Sequence, residues 1–172
     1  MLNKLKLLYY RFFKSGAEYA RYLGVKVGEK CHIASSVCFS SEPYLIEIGS
    51  GVAITQNVMI HTHGGGRVAR RKYPDFDIFG RVTICDFAYI GSGAQLMPGV
   101  TIGKGSLVAA GSIVTKSVPE GVVVAGNPAR VVCTVDEYIE RNKKYDLGTK
   151  NLSPEEKKKY ILSLSPERLI VK

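Results

Sequence analysis

Histidine is the side chain that most often transfers protons near neutral pH, and this chain has three, His32, His61 and His63. His63 ends a block of hydrophobic repeats, directly before a long segment without that period, and three glycines follow it, so a substrate could approach the backbone closely there. A packing or solvated role also accounts for His61, and His32 is the weakest candidate for a general base. We therefore predict that His63 is a general base.

Three carboxylates stand where they could serve the same site. Glu42 lies in a short insertion between two registers of the hydrophobic pattern, where it could orient His63 or bind a substrate hydroxyl. Asp75 and Asp77 flank Phe76 in the long segment and could bind a polyol. For each of these three residues a solvated surface carboxylate explains the sequence equally well, so both interpretations stay open.

The elements that position these residues follow from an aliphatic residue at every sixth position. A helix repeats near 3.6 residues and a half-buried strand at 2, whereas a six-residue repeat is typical of a parallel β-helix in which three repeats form one coil. The distance from Ile48 to Ile84 is a multiple of six, so the register survives the interruption. The period comprises Ile48, Ile54, Ile60, Ile84, Ile90, Leu96, Ile102, Val108 and Val114.

The period divides the chain into three segments. Residues 1–24 predict an amphipathic N-terminal helix that Gly24 ends, residues 25–132 predict the β-helix, and residues 133–172 predict a helical tail that covers its open end. A three-residue register shift places a small insertion near residues 41–45, and a loop interrupts the repeats at residues 64–80. Helix starts are indicated at Thr134, Ser153 and Ser165.

Composition limits the classes of function. The net charge of +9 arises mainly outside the repeats and forms no basic stripe with interleaved aromatic residues, so we expect an anionic small ligand and no nucleic acid. The four cysteines form no C-x-x-C pair and favour a reducing, cytoplasmic location. Lys4, Lys6 and Arg11 interrupt the N-terminal apolar residues, so we expect no signal peptide.

The motifs LMPGVTIG, AAGSIVTKSVP and AGNPARV resemble the closing half of hexapeptide-repeat acyltransferases, the sugar and xenobiotic O-acetyltransferases. The resemblance covers residues 25–133. SEPYLIEIG and T-H-G-G-G upstream are similar to a subgroup that includes polysaccharide O-acetyltransferases. The resemblance implies a left-handed parallel β-helix, a homotrimer and acetyl-CoA as donor. It also implies that His63, in its T-H-x-G-G setting, is the catalytic histidine.

The resemblance further implies a coenzyme groove. Its residues in this chain are Ser92, Ala110, Thr115, Lys116 and Arg130. Many relatives carry another basic residue where Cys133 stands here, so contacts to the coenzyme phosphates could fall to Arg70, Arg71 and Lys72. The bond between Asn127 and Pro128 is a candidate cis peptide.

The leading hypothesis is direct acetyl transfer to a hydroxyl of a sugar or glycan precursor, because no Ser or Cys has a paired base in sequence reach. Backbone N–H groups or Ser92 would stabilise the oxyanion. Alternatives are a drug hydroxyl or a nucleotide-sugar amine as acceptor, and a scaffold in which residues 1–22 contact a membrane. A zinc hydratase needs three histidines per site, which His61, His63 and His32 are poorly placed to supply, so we expect no metal.

Overall fold

The computed structural model describes residues 2–170. Met1 and residues 171–172, the outer ends of the two predicted terminal segments, lie outside the described residues. The chain divides into two compact units, Met1–Val135 and Asp136–Lys172. No helix within residues 2–170 is both long and apolar enough to cross a membrane.

The first unit is built mainly from short β-strands of two to five residues. Their bounds are β1 Lys26–Val27, β2 His32–Ile33, β3 Cys38–Phe39, β4 Ile46–Ile48, β5 Ala53–Ile54, β6 Met59–Ile60, β7 Val82–Ile84, β8 Tyr89–Ile90, β9 Gln95–Leu96, β10 Thr101–Ile102, β11 Leu107–Val108, β12 Ile113–Val114, β13 Val122–Ala125 and β14 Arg130–Thr134.

Every third strand pairs in parallel with the next, so the chain visits three sheets in turn. The first sheet holds β1, β4, β7 and β10, the second holds β2, β5, β8, β11, β13 and β14, and the third holds β3, β6, β9 and β12. Only the pairing of β13 with β14 is antiparallel among the described strands. The result is the three-sided parallel β-helix that the six-residue period predicts.

The aliphatic side chains of that period form a column in the core of the β-helix. All nine residues from Ile48 to Val114 that the period comprises are at most 2% exposed. Small or β-branched residues at the corners, such as Val58, Ala94 and Ser112, are also buried. Full burial of one Ile, Leu or Val side chain stabilises a fold by roughly 1.5–3 kcal/mol, so this column contributes substantially to the driving force for folding.

Two insertions occur at one corner of the prism. We call the turn that follows a strand of the third sheet the third corner, and the turn that follows a strand of the second sheet the second corner. Val27 pairs with Ile48, an offset of 21 residues, whereas Ile84 pairs with Ile102, an offset of 18. The three extra residues lie between β3 and β4, as predicted, and include the 3-10 turn Pro43–Leu45. The long loop between β6 and β7 is the second insertion at the third corner.

The N-terminal segment differs from the single predicted helix. It forms two helices, α1 Leu2–Phe13 and α2 Gly16–Leu23. Ser15 divides them, because its hydroxyl accepts a hydrogen bond from the backbone of Glu18 while the Glu18 carboxylate accepts from the backbone of Ser15. Gly24 ends α2 in a left-handed conformation with φ 105°, as predicted.

Strand β14 extends to Thr134, two residues beyond the predicted end of the β-helix, and a helix begins directly after Thr134, where a helix start is predicted. Helix α3 Gly66–Ala69 lies in the long loop, and α4 Val135–Asn142 and α5 Pro154–Leu162 follow the β-helix. Ser153 and Glu156 form the capping box that begins α5. The remaining 3-10 turns are Lys143–Tyr145, Thr149–Asn151 and Pro166–Arg168. The bond between Asn127 and Pro128 is cis.

Candidate active site

His63 lies at the third corner, where the chain leaves β6 and enters the long loop. The far end of the loop returns to this point, since the amide of Gly80 donates to the carbonyl of Thr62 at 2.8 Å and His63 forms an isolated bridge with Phe79. A side chain at position 80 would collide with the backbone of Pro98 and Gly99 on the next coil, so only glycine allows this close approach. The base of the loop is thereby fixed beside His63.

Glu42 reaches His63 from the preceding coil. Its Oε2 lies 2.7 Å from Nδ1 of His63. The two residues are 21 positions apart, the same offset that pairs Phe39 with Ile60 on the adjoining strands. The short insertion and the long loop therefore place one acidic and one imidazole side chain above each other at one corner.

The carboxylate of Glu42 receives further hydrogen bonds. Thr62 is fully buried, and its hydroxyl donates to the same Oε2 of Glu42 at 2.7 Å. Ser40 Oγ lies 3.3 Å from Nδ1 of His63. The pKa of Glu42 is lower than its ordinary value of 4.5. The hydrogen bond from the Thr62 hydroxyl is the largest cause, and the side chains of His63 and Ser41 lower the pKa further, whereas desolvation raises it. Glu42 is therefore ionised at neutral pH.

The ionised carboxylate determines which nitrogen of His63 can act as a base. Because a carboxylate only accepts hydrogen bonds, a neutral His63 carries its proton on Nδ1 and has its lone pair on Nε2. The side chain of His63 is 43% exposed, whereas that of Glu42 is 16% exposed. The pair thus has one sheltered partner that orients and one accessible partner that can exchange a proton with a substrate.

A pocket of about 360 Å³ opens in front of this pair. It is lined by Ser41, Glu42, His63, Gly64, Gly65, Gly66, Arg67, Arg70, Asp77 and Phe79. Arg70 and Asp77 form an ion pair at 3.1 Å, and Nε of Arg70 donates to the carbonyl of Phe76 at 2.9 Å. The pocket therefore combines hydrogen-bonding groups from the loop with one aromatic ring, a lining that suits a polyhydroxylated molecule.

A second, more apolar pocket of about 400 Å³ adjoins the first. Gly64, Ile78, Phe79, Gly80, Pro98 and Gly99 line it. Gly64 and Phe79 belong to both pockets, and the Phe79 ring meets the His63 ring edge to face at a centroid distance of 6.2 Å. His63 lines the polar pocket, and two residues next to it, Gly64 and Phe79, also line the apolar one.

Of the other predicted catalytic and substrate-binding residues, Asp77 lines the polar pocket, and His61, His32 and Asp75 are not among the described residues that line it. Nε2 of His61 lies 3.2 Å from Oε1 of Gln95 on the next coil, which fits a packing role. His32 is exposed on β2 in the second sheet. Asp75 is also exposed. Within residues 2–170 no group of three or more His, Cys, Asp or Glu side chains could hold a metal ion.

The predicted coenzyme residues lie at two corners. Ser92 and Ala110 are exposed at the second corner, where the amide of Gly111 donates to the carbonyl of Ser92 at 2.8 Å. Thr115 and Lys116 are exposed at the third corner, on the same edge as His63. Arg130, the fifth predicted coenzyme residue, begins β14. One chain therefore does not bring all five together.

Sequence reasoning missed the hydroxyl residues of the site. Thr62 and Ser40 were not predicted, and neither was the contribution of Arg67 and Phe79 to the pocket. These contacts could have been predicted from the 21-residue offset between the first two coils, because that offset places Glu42 beside Thr62 and His63. Arg70, expected to contact coenzyme phosphates, instead pairs with Asp77 inside the His63 pocket.

Known proteins share both the repeats and the fold. Residues 81–116 match the family described as bacterial transferase hexapeptide (six repeats). Protein CapG of Staphylococcus aureus is 42% identical over 149 residues, which cover 83% of this chain and 85% of CapG.

Two solved structures extend the comparison. The maltose O-acetyltransferase of Clostridium difficile 630 matches with a TM-score of 0.62 and 27% identity over 77% of this chain and 83% of its own. A galactoside acetyltransferase in complex with coenzyme A matches with a TM-score of 0.58 and 25% identity over 81% of this chain and 82% of its own. The chain therefore belongs to the hexapeptide-repeat acetyltransferase family.

Proposed function

We propose that this protein transfers the acetyl group of acetyl-CoA directly to a hydroxyl of a sugar or glycan precursor, with His63 as the general base. The observation that carries the proposal is the 2.7 Å contact between Nδ1 of His63 and Oε2 of Glu42 in the lining of a polar pocket. The relatives named for acetyl transfer to maltose and to a galactoside support a sugar as acceptor.

The geometry suggests how this chain's residues would take part. As the acceptor oxygen attacks the thioester carbonyl, Nε2 of His63 takes the hydroxyl proton, and Glu42 stabilises the resulting imidazolium. When the carbon–sulfur bond breaks, the imidazolium returns the proton to the leaving thiolate. Backbone N–H groups or the Ser92 hydroxyl are the candidate donors to the oxyanion of the tetrahedral intermediate. The acetyl group never becomes attached to the protein.

The third corner fits the donor substrate. Lys116 follows β12, Pro98 follows β9 and His63 follows β6, so these residues mark three successive coils on one edge. Adjacent strands lie about 4.8 Å apart, which puts Lys116 roughly 10 Å from the level of His63 along the axis. Lys116 would bind a coenzyme phosphate, and the apolar pocket beside Pro98 would receive the arm that carries the thioester.

A homotrimer would complete this site. Ser92 and Ala110 lie at the second corner, away from His63, so a neighbouring copy that packs its second corner against this third corner would bring the two sets together. Arg130 and Thr115 would then contribute to the same slot. The proposal places the enzyme in the cytoplasm, since all four cysteines are free thiols, as in a reducing compartment.

The polar pocket bears on which acceptor is used. A drug hydroxyl or a nucleotide-sugar amine would use the same donor and the same base, because each also loses a proton as it attacks the thioester. Asp77 and Arg70 in the polar pocket favour a sugar, since their paired side chains offer both hydrogen-bond acceptors and donors to several hydroxyls.

The test is release of coenzyme A from acetyl-CoA in the presence of neutral sugars, sugar nucleotides and a drug alcohol. We expect release with a sugar, and a loss of about 10²- to 10⁴-fold in the His63→Ala variant. The matched control is His61→Ala, which should retain turnover because His61 bonds only to Gln95 among its described side-chain contacts. Undiminished turnover in His63→Ala contradicts the proposal.

A further inference from the structure

Helix α1 presents a continuous apolar face to solvent. The side chains are spaced at positions 5, 8, 9, 12 and 13, which places them on one side of a helix with 3.6 residues per turn. Phe12 is 70% exposed and Phe13 is 78% exposed. The full set of exposed apolar residues on this face is Leu5, Leu8, Tyr9, Phe12 and Phe13. A contiguous patch of solvent-exposed aromatic side chains indicates a surface that binds a partner.

The charges around this face all have one sign. Residues 1–14 contain four basic residues and no Asp or Glu. At 100° per residue, Lys6 lies on one side of the apolar face and Arg11 on the other. Lys14 pairs with Glu18 of α2 at 3.2 Å, whereas Lys6 and Arg11 have no ion pair within the described residues. The face is thus apolar in the middle and positive along both edges.

The rest of the unit holds α1 in place. The rings of Tyr10 in α1 and Tyr22 in α2 stack at a centroid distance of 4.2 Å. Helix α2 in turn buries Ala17 and Ala20 in the core. Tyr9 stacks on Phe13 at 5.7 Å, so two of the exposed rings are already ordered with respect to each other. The apolar face is therefore presented by a supported helix.

We propose that α1 lies in the plane of an anionic membrane surface, with its aromatic face in the acyl boundary and Lys6 and Arg11 among the lipid headgroups. A helix with one apolar face, basic edges and no acidic residue is the pattern of interfacial helices. The alternative of a second copy packing α1 against α1 would bring two basic helices together without any acidic residue in either to offset the repulsion. This proposal is independent of the acyl-transfer chemistry.

The experiment is vesicle flotation of the full chain with phosphatidylglycerol–phosphatidylcholine vesicles and with phosphatidylcholine alone. We expect at least about tenfold stronger binding to the anionic vesicles, weakened by high salt. The double variant Phe12→Ser/Phe13→Ser and the charge variant Lys6→Glu/Arg11→Glu should each lose about tenfold or more. The control Tyr44→Ser, which removes another exposed ring, should bind like the wild type.

Light scattering on the same proteins without vesicles distinguishes a membrane from a second copy of the chain as the partner of this face. The proposal requires the double variant to keep the oligomeric mass and the circular dichroism spectrum of the wild type while it loses vesicle binding. Equal partitioning of the wild type with both vesicle types overturns the proposal. So does a lower oligomeric mass in Phe12→Ser/Phe13→Ser when the wild type does not float, since α1 then packs on another copy.

Discussion

Nδ1 of His63 lies 2.7 Å from Oε2 of Glu42, although the two residues come from different insertions in the repeat pattern. The insertions meet because both replace the turn at the third corner on successive coils. The pair is thus a direct consequence of where the repeats are interrupted.

Replacement of Glu42 by Gln should lower kcat, by up to about 10⁴-fold, because an amide can donate to Nδ1 and favour the wrong tautomer of the imidazole. Steady-state kinetics with an acceptor found in the coenzyme-release assay would measure this loss. Glu47→Gln is the matched control, since Glu47 is an exposed carboxylate on β4 that pairs only with Lys26 among the described ion pairs. Equal activity of Glu42→Gln and the wild type would rule out the orienting role.

Replacement of Thr62 by Val removes the buried hydroxyl that donates to Glu42 while it nearly preserves the volume of the side chain. We expect kcat to fall about 5- to 10-fold, the effect of one lost hydrogen bond, with little change in the KM for acetyl-CoA. Thr62→Ser retains the hydroxyl and should recover most of the rate. If the serine variant is as slow as the valine variant, the methyl group and not the hydroxyl matters.

The acid stability of the fold should depend on Glu42. Hydrogen bonds from Thr62, His63 and Ser41 lower the pKa of Glu42 in the folded protein below the ordinary 4.5. The unfolded chain therefore binds more protons in this range, so the contribution of Glu42 to stability is present above about pH 4.5 and is lost as the pH falls through the lowered pKa.

Urea unfolding of the wild type and Glu42→Gln between about pH 3 and pH 7 would measure this contribution. The difference in the free energy of unfolding between the two proteins should be largest at neutral pH and shrink below about pH 4.5. Taking the difference removes the contributions of Glu18, Glu156 and Glu167, whose pKa values are also lowered by hydrogen bonds. A difference that is the same at every pH would contradict the assignment.

Replacement of Lys116 by Ala should raise the KM for acetyl-CoA by roughly 3- to 10-fold and leave kcat nearly unchanged, because a phosphate contact binds the ground state and the transition state equally. The effect should diminish with rising salt, since both charges are exposed to solvent. Lys104→Ala is the control, because Lys104 is exposed on the turn after β10, at another corner. Identical KM values for the two variants would show that Lys116 does not belong to the proposed coenzyme site.

The β-helix could be predicted from the sequence because each repeat places an aliphatic residue at the same position in the core, so the period itself encodes the architecture. The division of the N-terminal helix was missed because the apolar residues continue across Ser15, although Ser15 and Glu18 have the spacing of a capping box. Strand β14 was missed because an antiparallel strand at the end of the stack does not follow the six-residue period.

The site could be predicted only in part. His63 stands out through its position at the loop, but its contact with Glu42 follows only when the 21-residue offset of the first coil is counted. Thr62 was missed because a hydroxyl residue at a corner looks like any other turn residue in the sequence. The choice between Asp75 and Asp77 depends on the path of a loop that carries no repeat, so the sequence offered no basis for it.

The most direct test of the account is a crystal structure of the protein with coenzyme A and a sugar acceptor bound. The account predicts that the coenzyme sulfur and one acceptor hydroxyl both lie within about 3–3.5 Å of Nε2 of His63, with Nδ1 still bonded to Glu42. A structure in which the sulfur lies beside His61, or at any position out of reach of His63, would contradict it.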